Sequence, residues 1–175
     1  MRNSLFLFIP FPLQMICMAV DEIRFHRRRG LPRWERLGHP LDTLTVVACF
    51  VWLLTAPPSA YSLGVYVGLS VFSCLFVTKD EPTHSKYCSS GEHWLHAMLF
   101  ILHPLVLLCA GLLWHAGSQQ PLSFIRYTGF EREFLLVNTL LILAFGFYQL
   151  IYWNFLWSST TSQKQARLIT QSIAN

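Results

Sequence analysis

The sequence predicts an all-α polytopic membrane protein, a bundle of about five transmembrane helices. Three observations predict it. Of 175 residues, 53% are hydrophobic and only 13% charged, and the mean hydropathy is +0.41, a balance that suits a membrane bundle better than a soluble domain. The apolar residues fall into five runs, each approaching the ~20 residues that cross the hydrocarbon core. Lys and Arg concentrate in alternate connections, the asymmetry that orients membrane proteins. The bundle is expected over 1–158, followed by a short polar tail over 159–175, with no second domain or internal repeat.

The first span is expected at 5–24. Its start resembles a secretory leader, but Asp21 and Glu22 follow at once where a small-residue cleavage pattern would stand, so it reads as a retained helix. Pro10 and Pro12 either kink it or begin its regular part. The second span, 42–57, is short and must tilt, thin the bilayer or borrow from its flanks. Pro57 and Pro58 make a tight turn into the third, 60–78. There Ala60, Gly64 and Gly68 recur every four residues, a small-residue face expected to serve packing within the bundle. The fourth span covers 93–115 and the fifth 134–157. The fifth ends in "FGFYQLIYWNFLW", read as an aromatic belt, with Gln149, Tyr152 or Asn154 as candidates to line a polar pocket.

The connection after span one carries Arg24, Arg27, Arg28, Arg29, Arg33 and Arg36. The connection after span three carries Lys79 and Lys86, and the tail Lys164 and Arg167. These faces are expected in the cytoplasm and the N-terminus outside, in a membrane of the bacterial inner (cytoplasmic) type. The basic stretch after span one is first a topology signal. It can also lie on anionic lipid through Leu31, Trp34 and Leu37. Four of the five cysteines lie within spans and none form a CxxC pair, so no disulfide framework is expected. Cys88 is a candidate metal ligand or, more simply, a small residue.

The histidines and carboxylates carry the chemistry. His26, His39, His84, His93 and His96 map to the cytoplasmic side, as do Asp21, Glu22, Glu35, Asp42, Asp80, Glu81 and Glu92. Glu22 and His26, Asp80 and His84, and Glu92 and His96 are spaced i, i+4. His39 and Asp42, Glu81 and His84, and His93 and His96 are spaced i, i+3. On a helix each pair projects from one face. Taken singly, each has a plainer account as an interfacial anchor, an ion pair or a helix-end charge. Together they place nitrogen and oxygen ligands at four helix ends, and ionisable residues within spans are costly and usually functional. The candidate metal ligands are therefore His26, His39, Asp42, His84, Glu92, His93 and His96. Asp21, Glu22, Asp80 and His103 stand in reserve. His103 lies ~10 Å along the helix from His96, too far to share one ion without a kink. It can bind a second ion, hydrogen-bond a ligand or pair with Asp21. The ligand set suits iron, manganese or zinc, and is too large for one tetrahedral zinc.

The pieces "DEIRFH" (21–26), "GHPLD" (38–42), "DEPTH" (80–84) and "GEHWLH" (91–96) resemble in plan the histidine-rich integral-membrane di-metal oxygenases of the fatty-acid desaturase and hydroxylase type. The HxxxH and HxxHH boxes of that family do not occur here. The resemblance implies two iron ions and oxidation of a lipid or other membrane-soluble substrate, with electrons from an external donor. Zinc-dependent lipid hydrolysis is the alternative, with Glu92 or Asp42 as base. A non-enzymatic role in metal transport or assembly, and haem ligation, are further alternatives. Neither GxxxxGK[ST] nor GxGxxG occurs, and nothing points to nucleic acid as a partner.

Overall fold

Five helices carry the chain in the computed structural model, which describes residues 5–82, 84, 88–116 and 129–157. They are α1 (Leu5–Arg29), α2 (Arg33–Thr55), α3 (Ala60–Asp80), α4 (Ser90–His115) and α5 (Phe130–Leu156), each long and apolar enough to cross a membrane. No strand occurs among the described residues. The expected tail over 159–175 lies outside them.

Every helix reaches or runs beyond its expected apolar stretch except at the C-terminal ends of α2, which stops at Thr55, and α5, which stops at Leu156; the extensions lie where charged side chains are paired. The second differs most. It borrows from its N-terminal flank and starts at Arg33, with Pro40 inside it. Pro40 has no N–H, so the Arg36 carbonyl one turn earlier loses its donor. Asn154 of α5 fills that role, donating from Nδ2 to Arg36 O at 3.3 Å. The N-terminus of α3 is capped by Ser59, whose hydroxyl oxygen accepts from the Ser62 N–H at 3.0 Å.

In α1 the α-helix Pro10–Val20 passes into a π-helical segment, Asp21–His26. A second π segment, Tyr152–Leu156, closes α5. Wider i→i+5 turns of this kind occur mostly within α-helices and frequently at functional sites.

The helices run alternately up and down, and the two ends of the bundle differ. At one end Phe11, Phe50, Leu53, Tyr66, Leu107, Leu113 and Leu135 form a packed apolar core. Helix approach there is close. A Cβ at Gly111 would come within 2.7 Å of the Tyr66 ring, and Tyr66 donates its hydroxyl proton to the Leu107 carbonyl beside it. Midway along, Gly146 of α5 lies against Thr43 of α2, where a Cβ would sit 2.7 Å from Cγ2. The other end holds most of the buried acids and histidines.

The small-residue face of α3 does not pack inside the bundle. Ala60, Gly64 and Gly68 are exposed, and a Cβ at Gly64 or Gly68 would meet nothing within 4 Å. This corrects the expectation of internal packing. Helix α3 instead packs through its opposite stripe, where Ser62, Tyr66 and Ser73 are buried.

Candidate metal centre

The π segment of α1 sets the geometry. Asp21, Glu22 and His26 are all buried. With i→i+5 spacing Asp21 and His26 come onto one side, and His26 Nε2 lies 3.2 Å from Asp21 Oδ2. Asp21 also meets His96 of α4, with Nε2 3.2 Å from each carboxylate oxygen. Glu92 approaches from one turn before His96, its Oε1 3.9 Å from His26 Nε2. Asp21, His26, Glu92 and His96 each offer a ligand atom within 4.8 Å of the others, and all four are buried. They form the first candidate metal position.

A second group, His39, Asp42 and Asp80, meets the same spacing. It adjoins the first, since the His26 and His39 rings stack with centroids 4.9 Å apart. On the other flank His84 lies beside His96, ring centroids 4.3 Å apart. His84, Cys88 and His96 form a third group. Burial pushes the His84 pKa down to about 3, helped by repulsion from His96 and His39, so its ring is neutral at pH 7 with a lone pair to offer. Burial and the Glu92 carboxylate push the Cys88 thiol up, which keeps it protonated unless a metal takes the proton's place.

The imidazoles are under-partnered. Both ring nitrogens of His26 and of His84, Nδ1 of His96 and Nε2 of His39 make no hydrogen bond among the described residues, although buried. His26 Nε2 is near Asp21 without hydrogen-bond alignment. A buried polar atom without a partner costs roughly 1–3 kcal/mol, and here several share one small volume. Metal ligation satisfies such atoms. Carboxylates also outnumber the cations around them, and a divalent ion removes that excess negative charge.

Outer groups hold the carboxylates in place. Arg29 donates to Glu35 at 2.9 Å and to Glu92 at 3.1 Å. Glu22 bridges the cluster and its surroundings, with Oε2 3.5 Å from His26 Nδ1. Its Oε1 accepts from the Tyr148 hydroxyl at 2.7 Å and the Trp153 indole N–H at 3.1 Å. Arg27 in turn donates to Tyr148 at 3.0 Å. Lys79 donates to both oxygens of Asp42 at 2.7 Å and to Asp80 at 2.8 Å.

The cluster forms the polar end of an open cavity of about 140 Å³. Met18, Val46, Leu99, Phe100, Ile142 and Phe145 line the remainder. His103 lies in this apolar part and belongs to none of the three groups. Its Nε2 meets Ser73 Oγ at 3.0 Å rather than Asp21, and Ser73 meets Thr45 at 2.7 Å, a hydroxyl chain across three helices.

Of the first-choice ligands, the structure brings His26, His39, Asp42, His84, Glu92 and His96 together, and Asp21 and Asp80 with them. His93 is half-buried and takes part in none of the groups. Spacing alone placed it with His96, but on α4 it is rotated away from the face that carries Glu92 and His96.

Sequence reasoning passed over Arg29, Glu35 and Lys79 as site residues. Glu35 is 0% exposed in the middle of a basic stretch. A lone acid among arginines is the signal that would have marked it. Trp153, read with the aromatic belt, is also 0% exposed. Gln149 does line the cavity. No family model, curated protein or solved structure matches the chain.

Proposed function

We propose that the protein is an integral-membrane metalloenzyme that acts on an amphiphilic, membrane-soluble substrate at the cytoplasmic face. The convergence of under-partnered buried imidazoles and carboxylates from separate helices carries this reading. The distribution of Lys and Arg supports placing the cluster end in the cytoplasm. The cavity supports the substrate class. Its apolar wall accommodates a lipid chain, while the chain's polar end reaches the cluster.

Two chemistries fit this plan. With both positions filled by iron, the centre would activate dioxygen to hydroxylate or desaturate the chain, with electrons from an external donor. With one zinc ion held by three of Asp21, His26, Glu92 and His96, the fourth position left open, it would supply an activated water for lipid hydrolysis. A specific observation favours the second: Lys79 already sits among the carboxylates of the second position. In either case Arg29 and the Tyr148–Trp153 pair hold the acids in register, and the cavity aligns the substrate.

The test is the metal content of protein purified in detergent without added metal. Iron, zinc or manganese is expected in stoichiometric amount. In His96→Ala and Asp21→Asn the affinity should fall at least roughly tenfold, the loss seen even for outer partners of metal ligands. Metal content at background in the wild-type protein, even after reconstitution with each ion, ends the proposal.

A further inference from the structure

We propose that the Lys79 ammonium is the resident cation of the second position, so that the chain takes one divalent ion, at Asp21, His26, Glu92 and His96. The inference rests on the metal reading above and specifies its stoichiometry.

Lys79 occupies the centre of a group that would otherwise read as a ligand set. Its Nζ lies 2.7 Å from both Asp42 oxygens and 2.8 Å from Asp80 Oδ2. His39 completes the group, with Nδ1 3.8 Å from Asp42 Oδ2. An ammonium and a divalent ion cannot share these oxygens. A metal needs them at about 2.0–2.2 Å, which would press two cations against each other.

The seat for the ammonium is built. The Phe76 ring faces Nζ at 4.8 Å from its centroid, a cation–π contact. Gly38 leaves the room: a Cβ there would come within 3.2 Å of Lys79 Cε and of Asp80 Oδ2. The Asp80 side chain is 2% exposed and its Oδ1 has no partner among the described residues, so one ligand atom remains free in the seat.

An ordinary ion pair between neighbours, Lys79 with Asp80, explains one contact. It does not explain why Asp42 comes from another helix with His39 beside it. A second metal position filled from within explains all of them. The first position differs: the guanidinium of Arg29 touches one of its four groups, Glu92, at 3.1 Å, and makes no hydrogen bond to Asp21, His26 or His96, whereas Lys79 bonds to both acids of the second. The stacked rings of His26 and His39 join the two positions. A metal in the first would thus work beside a fixed positive charge, which suits the single-metal hydrolytic form of the proposed function.

The experiment counts ions. Full-length protein, stripped and reloaded with Zn²⁺, is desalted and its metal measured per chain. One ion is expected in the wild type, two in Lys79→Met, and one again in Lys79→Arg and in Lys79→Met/Asp80→Asn. Two ions in the wild type overturn the inference and leave the metal reading standing. One ion in a Lys79→Met protein that melts like the wild type overturns it as well. No ion in any of them removes both. Should Lys79→Met not fold, wild-type protein loaded with Mn²⁺ decides by electron paramagnetic resonance. An isolated-ion spectrum supports the inference, and a spin-coupled pair refutes it.

Discussion

Replacing Arg29 by methionine tests whether the acids around the cluster depend on it. Arg29 Nη2 lies 2.9 Å from Glu35 and 3.1 Å from Glu92. The Glu35 side chain is 0% exposed and that of Glu92 3% exposed, so neither can turn to water when the guanidinium is gone. Removing one partner of a buried ion pair costs about 3–5 kcal/mol, because the remaining charge stays buried without compensation. For a domain of 150–250 residues each kcal/mol moves the melting temperature by about 2–4 °C. Arg29→Met is therefore expected to melt roughly 6–20 °C below the wild type. The assay is thermal unfolding of detergent-solubilised protein followed by circular dichroism, in the presence of chelator. The double variant Arg29→Met/Glu35→Gln should recover much of the loss, since it removes one stranded charge. A single variant that melts within about 2 °C of the wild type would refute the reasoning, because a shift that small is worth under ~1 kcal/mol. So would a double variant that melts lower still.

Other predictions follow from the same geometry. Trp153→Phe removes a donor to the buried Glu22 carboxylate and should destabilise by about 1.5–3 kcal/mol, as hydrogen bonds to charged groups do. Gly111→Ala forces a methyl against the Tyr66 ring. It should cost about 1–3 kcal/mol in the same melts, the usual penalty for overpacking. Gly64→Ala and Gly68→Ala meet open space and should stay within about 0.5 kcal/mol of the wild type. A large loss would mean that this face of α3 is covered. If a metal holds the cluster together, a strong chelator should lower the melting temperature of the wild type but not that of His96→Ala.

Much of the fold was legible because apolar length and side-chain periodicity are local properties. Five apolar runs became five helices, most of them extended at their charged ends. The runs mark where side chains suit hydrocarbon, whereas the helices continue as long as backbone and charged groups find partners. Arg33–Leu41 shows this: hydropathy reads it as a loop, yet it is helical, with Glu35 paired to Arg29 and Asn154 covering the carbonyl that Pro40 strands. The grouping of His26, His39, His84, His96 and their acids was legible too, since i, i+3 and i, i+4 spacing puts residues on one face.

By itself the sequence determined how many helices form and that acids and imidazoles gather at one end of them. Only the tertiary structure decided which of those groups meet. Periodicity fixes a face relative to its own helix, but not the rotation of that helix against its neighbours. So His93 turned aside while His96 turned in, and Ala60, Gly64 and Gly68 faced outward. The spacing rules also assume an α-helix. The i→i+5 turn at Asp21–His26 breaks that assumption: the expected Glu22–His26 pair forms at 3.5 Å, and Asp21 also comes to lie between His26 and His96, a contact that spacing did not predict. The Lys79 contact with Asp42 on another helix was beyond any local rule, because it depends on where two separate helices place their ends.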